Sequence, residues 1–297
     1  MKIIPVILAG MIVLCGCSVR RMAVNQVGNA LAGGGGVFAT DDDPELVRQA
    51  VPFGLKLQES LLAESPRHRG LLLSLASGFT QYAYAFVQQD ADEMEEKDVA
   101  AAKALRDRAR RLFLRARDYG LRCLELENPD FRKDPVTALK LTTVKDVPVL
   151  YWTAAAWGAA IADAKDRPEI VADAGTMAAL MERALELDET FERGAIHSFL
   201  INYEMARPGA KPAEAQARAR QHFDRAVAIS AGQLAGPFVT YAEAVCVQQQ
   251  NRAEFTKLLQ QALAVNVDAV PEARLANLVM QRRARWLLAK TDELFAE

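Results

Sequence analysis

Cysteine and histidine are scarce in this chain, which narrows the chemistry open to it. Two of the four cysteines lie in the N-terminal apolar segment, and the others, Cys123 and Cys246, stand among apolar residues in a helical pattern. An oxidising compartment permits a bridge between them, but buried free cysteine is common, so both states stay open. His68, His197 and His222 form no ligand-spaced pair, and we predict neither a metal site nor a cofactor.

An excess of charge of one sign is also lacking. The formal net charge of −2 excludes a global basic field that would hold nucleic acid. No convincing period-two run of strand length occurs, whereas Ala, Leu, Arg and Glu are abundant, so we predict an all-α fold. Neither a Gly-x-Ser-x-Gly motif nor a phosphate-binding loop occurs, and we predict that the protein is not an enzyme.

The N-terminal apolar run is too short to span a bilayer. It extends over twelve residues from Ile3 to Leu14, whereas a spanning helix needs about 20. With Lys2 before it and small residues after it, the run is typical of an export signal. We therefore exclude residues 1–16 from the fold.

The end of this run resembles a bacterial lipobox, Leu14-Cys15-Gly16-Cys17. Cys17 is the expected acyl acceptor, and its acyl chains would hold the protein on a membrane surface. Ser18 follows the acceptor, which by resemblance to bacterial lipoproteins favours the outer membrane with the chain facing the periplasm. A secretory signal without lipidation is the alternative.

Four consecutive glycines, Gly33 to Gly36, interrupt the chain after this signal. Glycine holds a helix only at a high entropic cost, so residues 17–42 are predicted to be a flexible tether. Asp43 followed by Pro44 is typical of a helix N-terminus. We predict that the first body helix begins near Asp43 and that residues 43–297 form a single domain.

One helical pattern recurs: a large apolar residue, an alanine three later and an apolar residue three after that. The copies are Met181/Ala184/Leu187, Phe223/Ala226/Ile229 and Leu259/Ala262/Val265, with a degenerate one at Gly120/Cys123/Leu126. Each triplet lies on one helical face. Gly158 and Leu200 both precede the repeat alanine by 26 residues. The pattern predicts a tetratricopeptide-like solenoid with a concave face, with a generic helical bundle as the alternative.

Segments spread over residues 43–295 resemble, in order, the T component of TRAP-associated transport systems. The most specific are Gly78-Phe79-Thr80 with Tyr82 and Phe86, and Leu150-Tyr151-Trp152 with Trp157-Gly158. The resemblance implies a periplasmic lipoprotein with cryptic tetratricopeptide repeats and no chemistry of its own. It further implies a homotrimer, a cleft or pore suited to an apolar ligand, and docking to the solute-binding P component.

Seven aromatic residues are candidates for lining such a cleft: Phe79, Tyr82, Phe86, Tyr151, Trp152, Trp157 and Tyr203. The first three recur at i, i+3 and i+7 and share a helical face, which predicts either core packing or the wall of an apolar cleft. Trp157 occupies a repeat position that normally packs between helices, so Trp152 is the better lining candidate. Tyr203 is included because it matches an aromatic of the family.

Two charged runs have simpler interpretations. The acidic run from Asp90 to Asp98 lacks the glycine turn and distant glutamate of a calcium-binding EF-hand, and is predicted to be a solvated loop or helix start. The arginines between Arg106 and Arg117 alternate with apolar residues at helical spacing, so they should form the solvent-exposed face of a helix. Docking of an acidic partner is the alternative.

These features predict an accessory protein of a TRAP-type transporter that binds or relays an apolar or amphipathic solute with the periplasmic solute-binding protein. A repeat scaffold that docks protein partners of an envelope assembly machine is the alternative. An open groove of exposed polar residues would favour docking, whereas a closed aromatic cleft would favour a solute.

Overall fold

The computed structural model describes residues 22–33, 35–164 and 167–295, and all their regular elements are helical. The first part comprises α1 (22–33), α2 (Gly35–Ala39), α3 (Pro44–Glu64), α4 (Arg69–Tyr82), α5 (Gln89–Met94), α6 (Val99–Leu124), α7 (Pro135–Lys140) and α8 (Val147–Ala162). The second comprises α9 (Pro168–Val171), α10 (Ala174–Leu187), α11 (Ala195–Ala206), α12 (Pro212–Ile229), α13 (Ala235–Tyr241), α14 (Arg252–Ala264), α15 (Arg274–Ala289) and α16 (Thr291–Leu294). The all-α prediction is confirmed.

Shorter turns connect several of these helices. Two segments are π-helical, Ala83–Gln88 between α4 and α5 and Ala242–Cys246 after α13. Single 3₁₀ turns occur at Val144–Asp146, Phe191–Arg193 and Pro271–Ala273. π-Helical segments are frequent at functional sites because they re-aim the side chains they carry. None of the helices in the described ranges is long and apolar enough to cross a membrane.

The predicted helix start at Asp43 is confirmed. The Asp43 carboxylate accepts hydrogen bonds from the backbone N–H groups of Glu45 and Leu46, each at 3.0 Å, and satisfies donors that have no partner inside a helix. Asp98 and Asn251 cap α6 and α14 in the same way. These caps set where the long helices begin.

Neighbouring helices pack in pairs, α4 with α6, α8 with α10, α11 with α12, and α13 with α14. The central residue of every predicted triplet is fully buried on the second helix of its pair: Cys123, Ala184, Ala226 and Ala262. Small residues at these points let the helix backbones approach closely. The chain therefore has a helical repeat-like architecture, while the tetratricopeptide assignment stays a prediction.

Gly158 lets one repeat approach the next. A Cβ atom at this position on α8 would lie 2.7 Å from Cζ of Phe199 on α11, closer than van der Waals contact allows. Ile201 on α11 is fully buried in the core cluster around α12 to α15.

The two cysteines outside the N-terminal segment lie in different parts of the hydrophobic core. Cys123 belongs to the cluster formed mainly by α3 to α11, and Cys246 belongs to the one around α12 to α15. Both are free and fully buried. Burial raises the pKa of the Cys123 thiol to about 11 and that of Cys246 to about 12, so both stay protonated and unreactive at neutral pH.

The glycine-rich segment differs from the predicted flexible tether in the residues described. Residues 22–33 and Gly35–Ala39 are helical, and α1 packs on the start of α4. There the backbone oxygen of Asn25 lies 3.3 Å from Nε2 of His68, and a Cβ at Gly28 would lie 3.0 Å from the same nitrogen. Tertiary packing offsets the cost of helical glycine at Gly28, whereas Gly33 and Gly36 have open space around them. Cys17 and the signal lie outside the described residues.

Candidate ligand site

Tyr84 marks an internal recess. It projects from the first π-helical segment and keeps 39% of its surface accessible, yet desolvation raises the pKa of its hydroxyl. Its Oη lies 3.8 Å from Sδ of Met280 on α15. A side chain that water can reach, but that protein surrounds, lines a recess rather than the outer surface.

Glu192 shows the same combination. It lies in the 3₁₀ turn between α10 and α11, where its side chain is exposed. Desolvation nevertheless raises the pKa of its carboxyl to about 7, and a hydrogen bond from the side chain of Trp152 offsets part of that rise. The carboxyl is therefore reached by water and is nevertheless surrounded by much of the protein.

The backbone that carries this carboxyl is strained. Glu192 and Arg193 both have positive φ values, 42° and 58°, and Gly194 follows at 91°. Non-glycine residues avoid this region because their Cβ clashes with the backbone. A Cβ on Gly194 would lie 3.3 Å from Cα of Ala226, so close contact with α12 requires glycine. Strain of this kind persists where the surrounding structure fixes it, commonly at binding sites.

Aromatic rings flank the Glu192 carboxyl. The ring centroid of Tyr151 lies 5.0 Å from that of Trp152 and 5.2 Å from that of Phe191. Desolvation raises the pKa of the Tyr151 hydroxyl, and electrostatic interactions with Glu192 and Tyr84 raise it further. Tyr84, Tyr151, Trp152 and Glu192 come from three elements distant in sequence and interact with one another; we call this group of residues the aromatic recess.

An ion-pair layer lies next to Tyr84. Arg283 on α15 donates from Nη1 to Asp92 Oδ2 at 3.0 Å and from Nε to Glu243 Oε2 at 2.7 Å. These three charges all act on the hydroxyl of Tyr84. Tyr84 and Glu243 stand on the two π-helical segments, so each segment contributes one residue that interacts with Arg283.

The acidic run was predicted to be a solvated loop or helix start, and this holds for its end, where exposed Asp98 caps α6, but not for its first part. Arg282 donates to Asp90 at 2.9 Å and to Glu93 at 2.7 Å, and Arg48 on α3 donates to Asp90 at 3.0 Å. The run thus joins α3, α5 and α15 through charge pairs. Over the described ranges, no group of three or more acidic, histidine or cysteine residues could hold a metal ion.

The arginine run is only partly the solvent-exposed helix face that was predicted. Arg110 is buried and donates from Nη1 to the backbone oxygen of Asp163 at 3.1 Å. Arg117 lies over the ring of Trp157, 5.2 Å from its centroid, and Arg115 lies 5.0 Å from that of Phe79. These arginines contact residues of other segments of the chain. The helical spacing within one segment cannot reveal such contacts.

The seven aromatic candidates fall into two groups. Phe79, Phe86 and Trp157 are 4%, 5% and 6% exposed and pack in the core, whereas Tyr82, Tyr151, Trp152 and Tyr203 are half-buried. The structure brings Tyr151 and Trp152 to the recess beside Glu192. A lining role for the others stays a prediction that no contact of theirs supports.

Two recess residues were missed by the sequence patterns. Tyr84 lies off the aromatic stripe, and the π-helical geometry decides where it points. Glu192 stands in a charged loop that offered no periodic signal; Gly194 was the available hint of a tight turn. The pair His197 and His222 was also missed, although their Nδ1 atoms lie 2.9 Å apart.

Comparison with known proteins decides the family. A sequence model of the TRAP transporter T-component family matches residues 40–295, most of the chain. The chain belongs to this family. A protein of Treponema pallidum (strain Nichols), described only as an uncharacterized protein, is 30% identical over 311 aligned positions, which cover 97% of this chain and 96% of that protein.

Membership confirms the resemblance found in the sequence and fixes the general role. This T component is an accessory component of a TRAP transport system. The match begins three residues before the cap of α3 and ends beyond α15, so it includes every residue of the aromatic recess and the ion-pair layer beside it.

Proposed function

We propose that this T component is a non-enzymatic binding protein that takes an apolar or amphipathic solute into the aromatic recess. The observation that carries the proposal is that Tyr84 and Glu192 are accessible to water and yet desolvated. Enclosed sites with aromatic walls and a few polar groups are typical of small-molecule pockets. The proposed role is to hold the solute, or relay it, together with the solute-binding P component.

Reversible binding needs no chemistry from the protein. Burial of apolar solute surface contributes about 25 cal/mol per Å² before ordering costs, and Tyr151 and Trp152 supply part of that surface. The hydroxyl of Tyr84 and the carboxyl of Glu192 then set the orientation of the solute, because a polar group in an enclosed site needs a partner.

The proposed setting is the periplasmic face of the outer membrane. Its supports are the lipobox ending at Cys17 and the following Ser18, through which acyl chains would anchor the protein. A homotrimer that docks to the P component is proposed from family resemblance. An anchored carrier would keep the relay next to the membrane.

Docking of protein partners is the second candidate, and one surface favours it. An open groove of about 390 Å³ runs along α6, lined by Arg111, Arg115, Arg122, Leu114, Asp118 and Tyr119. Its arginines could pair with an acidic partner surface. This groove would suit the P component or a subunit of an envelope assembly machine.

One transfer experiment separates solute relay from docking alone. The protein, charged with the compound that copurifies with it, is mixed with the P component of its transporter, and complex formation and compound transfer are measured. Relay predicts that Trp152→Ala reduces transfer while the complex still forms, and that Phe53→Ala, at an exposed aromatic of α3, changes neither. Complex formation without any transfer would favour the docking role.

A further inference from the structure

Glu192 has no Lys or Arg partner among the described residues. Among the described residues, the influences on its carboxyl are desolvation and the hydrogen bond from Trp152. Several other carboxylates of the described ranges pair with Arg side chains, as at Asp90, Asp92 and Glu243. A desolvated carboxylate without a cation is unfavourable, so a ligand that brings one positive charge would stabilise its ionised form.

The walls of the recess suit that missing charge. Tyr151, Trp152 and Phe191 form a run of neighbouring rings with centroids 5.0 and 5.2 Å apart, and Tyr84 approaches Tyr151 closely enough to act on its hydroxyl. Aromatic faces attract cations through their quadrupoles, and rings grouped around an enclosed space recognise ammonium groups. The sulfur of Met280 beside Tyr84 adds polarizable apolar surface.

We propose that the aromatic recess is a site for an organic cation, an ammonium group on an apolar body, with Glu192 as its counter-ion and Tyr151 and Trp152 as its aromatic walls. This inference rests on the proposed solute-binding function and specifies its ligand class. The strained turn at Glu192 and Arg193 serves to hold the carboxylate at the recess instead of in bulk water.

Cation binding at this site depends on pH in a defined direction. The groups that act electrostatically with Glu192 are the hydroxyl of Tyr151 on α8 and, behind it, that of Tyr84, whose own neighbours are Arg283, Glu243 and Asp92. Both hydroxyls have raised pKa values and stay neutral near pH 7. Arg283 is already paired with the two carboxylates. Glu192 is therefore the group whose ionisation changes the charge of the recess near neutral pH.

The test uses three probes with one aromatic body: benzyltrimethylammonium, benzyl alcohol and phenylacetate. Calorimetric titration of the purified protein is expected to give the tightest binding for the cation, by about tenfold over the alcohol. Its affinity should fall by up to about tenfold per pH unit below pH 7 and level off above pH 8. Glu192→Gln should remove both the preference and the pH dependence.

Matched variants keep the outcomes apart. Glu272→Gln, at an exposed glutamate of a distant 3₁₀ turn, should leave all three affinities unchanged, and Trp152→Ala should weaken all three. If the alcohol or phenylacetate binds through Trp152 and the cation binds no tighter, the cation inference is overturned while the proposed function stands. If no probe binds, the cation inference is again overturned, and the copurified compound decides the proposed function separately.

Discussion

Arg283 donates a hydrogen bond to Asp92 at 3.0 Å and thereby joins two helices that are 191 residues apart in sequence. The arginine is 9% exposed and also holds Glu243. Together with the Arg282 pairs to Asp90 and Glu93, it ties α15 to α5 beside the aromatic recess. Helix α15, near the C-terminal end of the sequence, therefore packs beside the aromatic recess, whose own residues come from the first two thirds of the sequence.

Removal of the buried guanidinium of Arg283 should destabilise the fold. Arg283→Met leaves Glu243 without its arginine partner and leaves Asp92 with Arg106 alone, so we expect a loss of about 3 kcal/mol in the free energy of unfolding. Arg252→Met is the matched control because Arg252 and Asp292 are 53% and 86% exposed, and it should cost less than about 1 kcal/mol. Urea unfolding measures both. Equal losses would contradict the role assigned to Arg283.

Gly120 should not tolerate a methyl group. A Cβ there would lie 2.0 Å from Oγ1 of Thr153, which is fully buried on α8, so α6 and α8 would have to move apart. We expect Gly120→Ala to destabilise the fold by about 1–3 kcal/mol. Gly175→Ala on α10 has open space around the new Cβ and should stabilise by up to about 1 kcal/mol. Thermal unfolding of both variants tests the packing, and an unchanged Gly120→Ala would refute it.

The His197 and His222 contact should weaken the protein at acidic pH. Desolvation lowers the pKa of both imidazoles, and His197 lowers that of His222 further. In the unfolded state the two imidazoles have pKa values near 6.5, so they take up protons there first as the pH falls. The fold therefore keeps its full stability above about pH 6.5 and loses stability below it.

His222→Gln tests this acid sensitivity. The variant should lose less stability than the wild type between about pH 7.5 and pH 5.5, by on the order of 1 kcal/mol, because one of the two depressed imidazoles is gone. Melting temperatures at the two pH values give the difference. Parallel losses in the two proteins would show that the pair does not control the acid response.

Glu192 should have the opposite effect on stability. Its pKa is about 7 in the folded protein, against 4.5 for an ordinary glutamate. Its contribution to the stability of the fold is therefore fully present below about pH 4.5 and is lost as the pH rises through 7. Glu192→Gln removes that loss. At about pH 8 we expect the free energy of unfolding of the variant to exceed that of the wild type by on the order of 1 kcal/mol. This is less than the full pKa difference would give, because the side chain is exposed. Near pH 4.5 the two proteins should be equally stable.

Glu272→Gln serves as the control for this comparison as well. Its carboxyl is exposed, so the difference from the wild type should be the same at both pH values. A Glu192→Gln protein that is less stable than the wild type at about pH 8 would mean that the Trp152 hydrogen bond outweighs desolvation.

Local signals in the sequence predicted much of the helical frame. The Asp43 cap and the repeat alanines depend on spacing within one helix, and the structure places each as expected. The preference for Trp152 over Trp157 followed from a repeat position that normally packs between helices; Trp157 is buried and Trp152 adjoins Glu192.

The parts that sequence could not predict depend on contacts between distant segments. The acidic run looked solvated because its partners, Arg282 and Arg283, lie about 190 residues later. Tyr84 and Glu192 became recess residues through a π-helical segment and a left-handed turn, neither of which has a periodic pattern. The helical glycine Gly28 is likewise explained by packing against His68 at the start of α4.

Native mass spectrometry of the purified protein, followed by extraction and analysis of any bound compound, tests solute binding in the aromatic recess most directly. We expect one apolar or amphipathic compound per chain in the wild type and in Phe53→Ala, and its loss in Trp152→Ala with unchanged helicity. A wild-type protein free of any compound, or a Trp152→Ala protein that retains it fully, would contradict a solute site at Trp152.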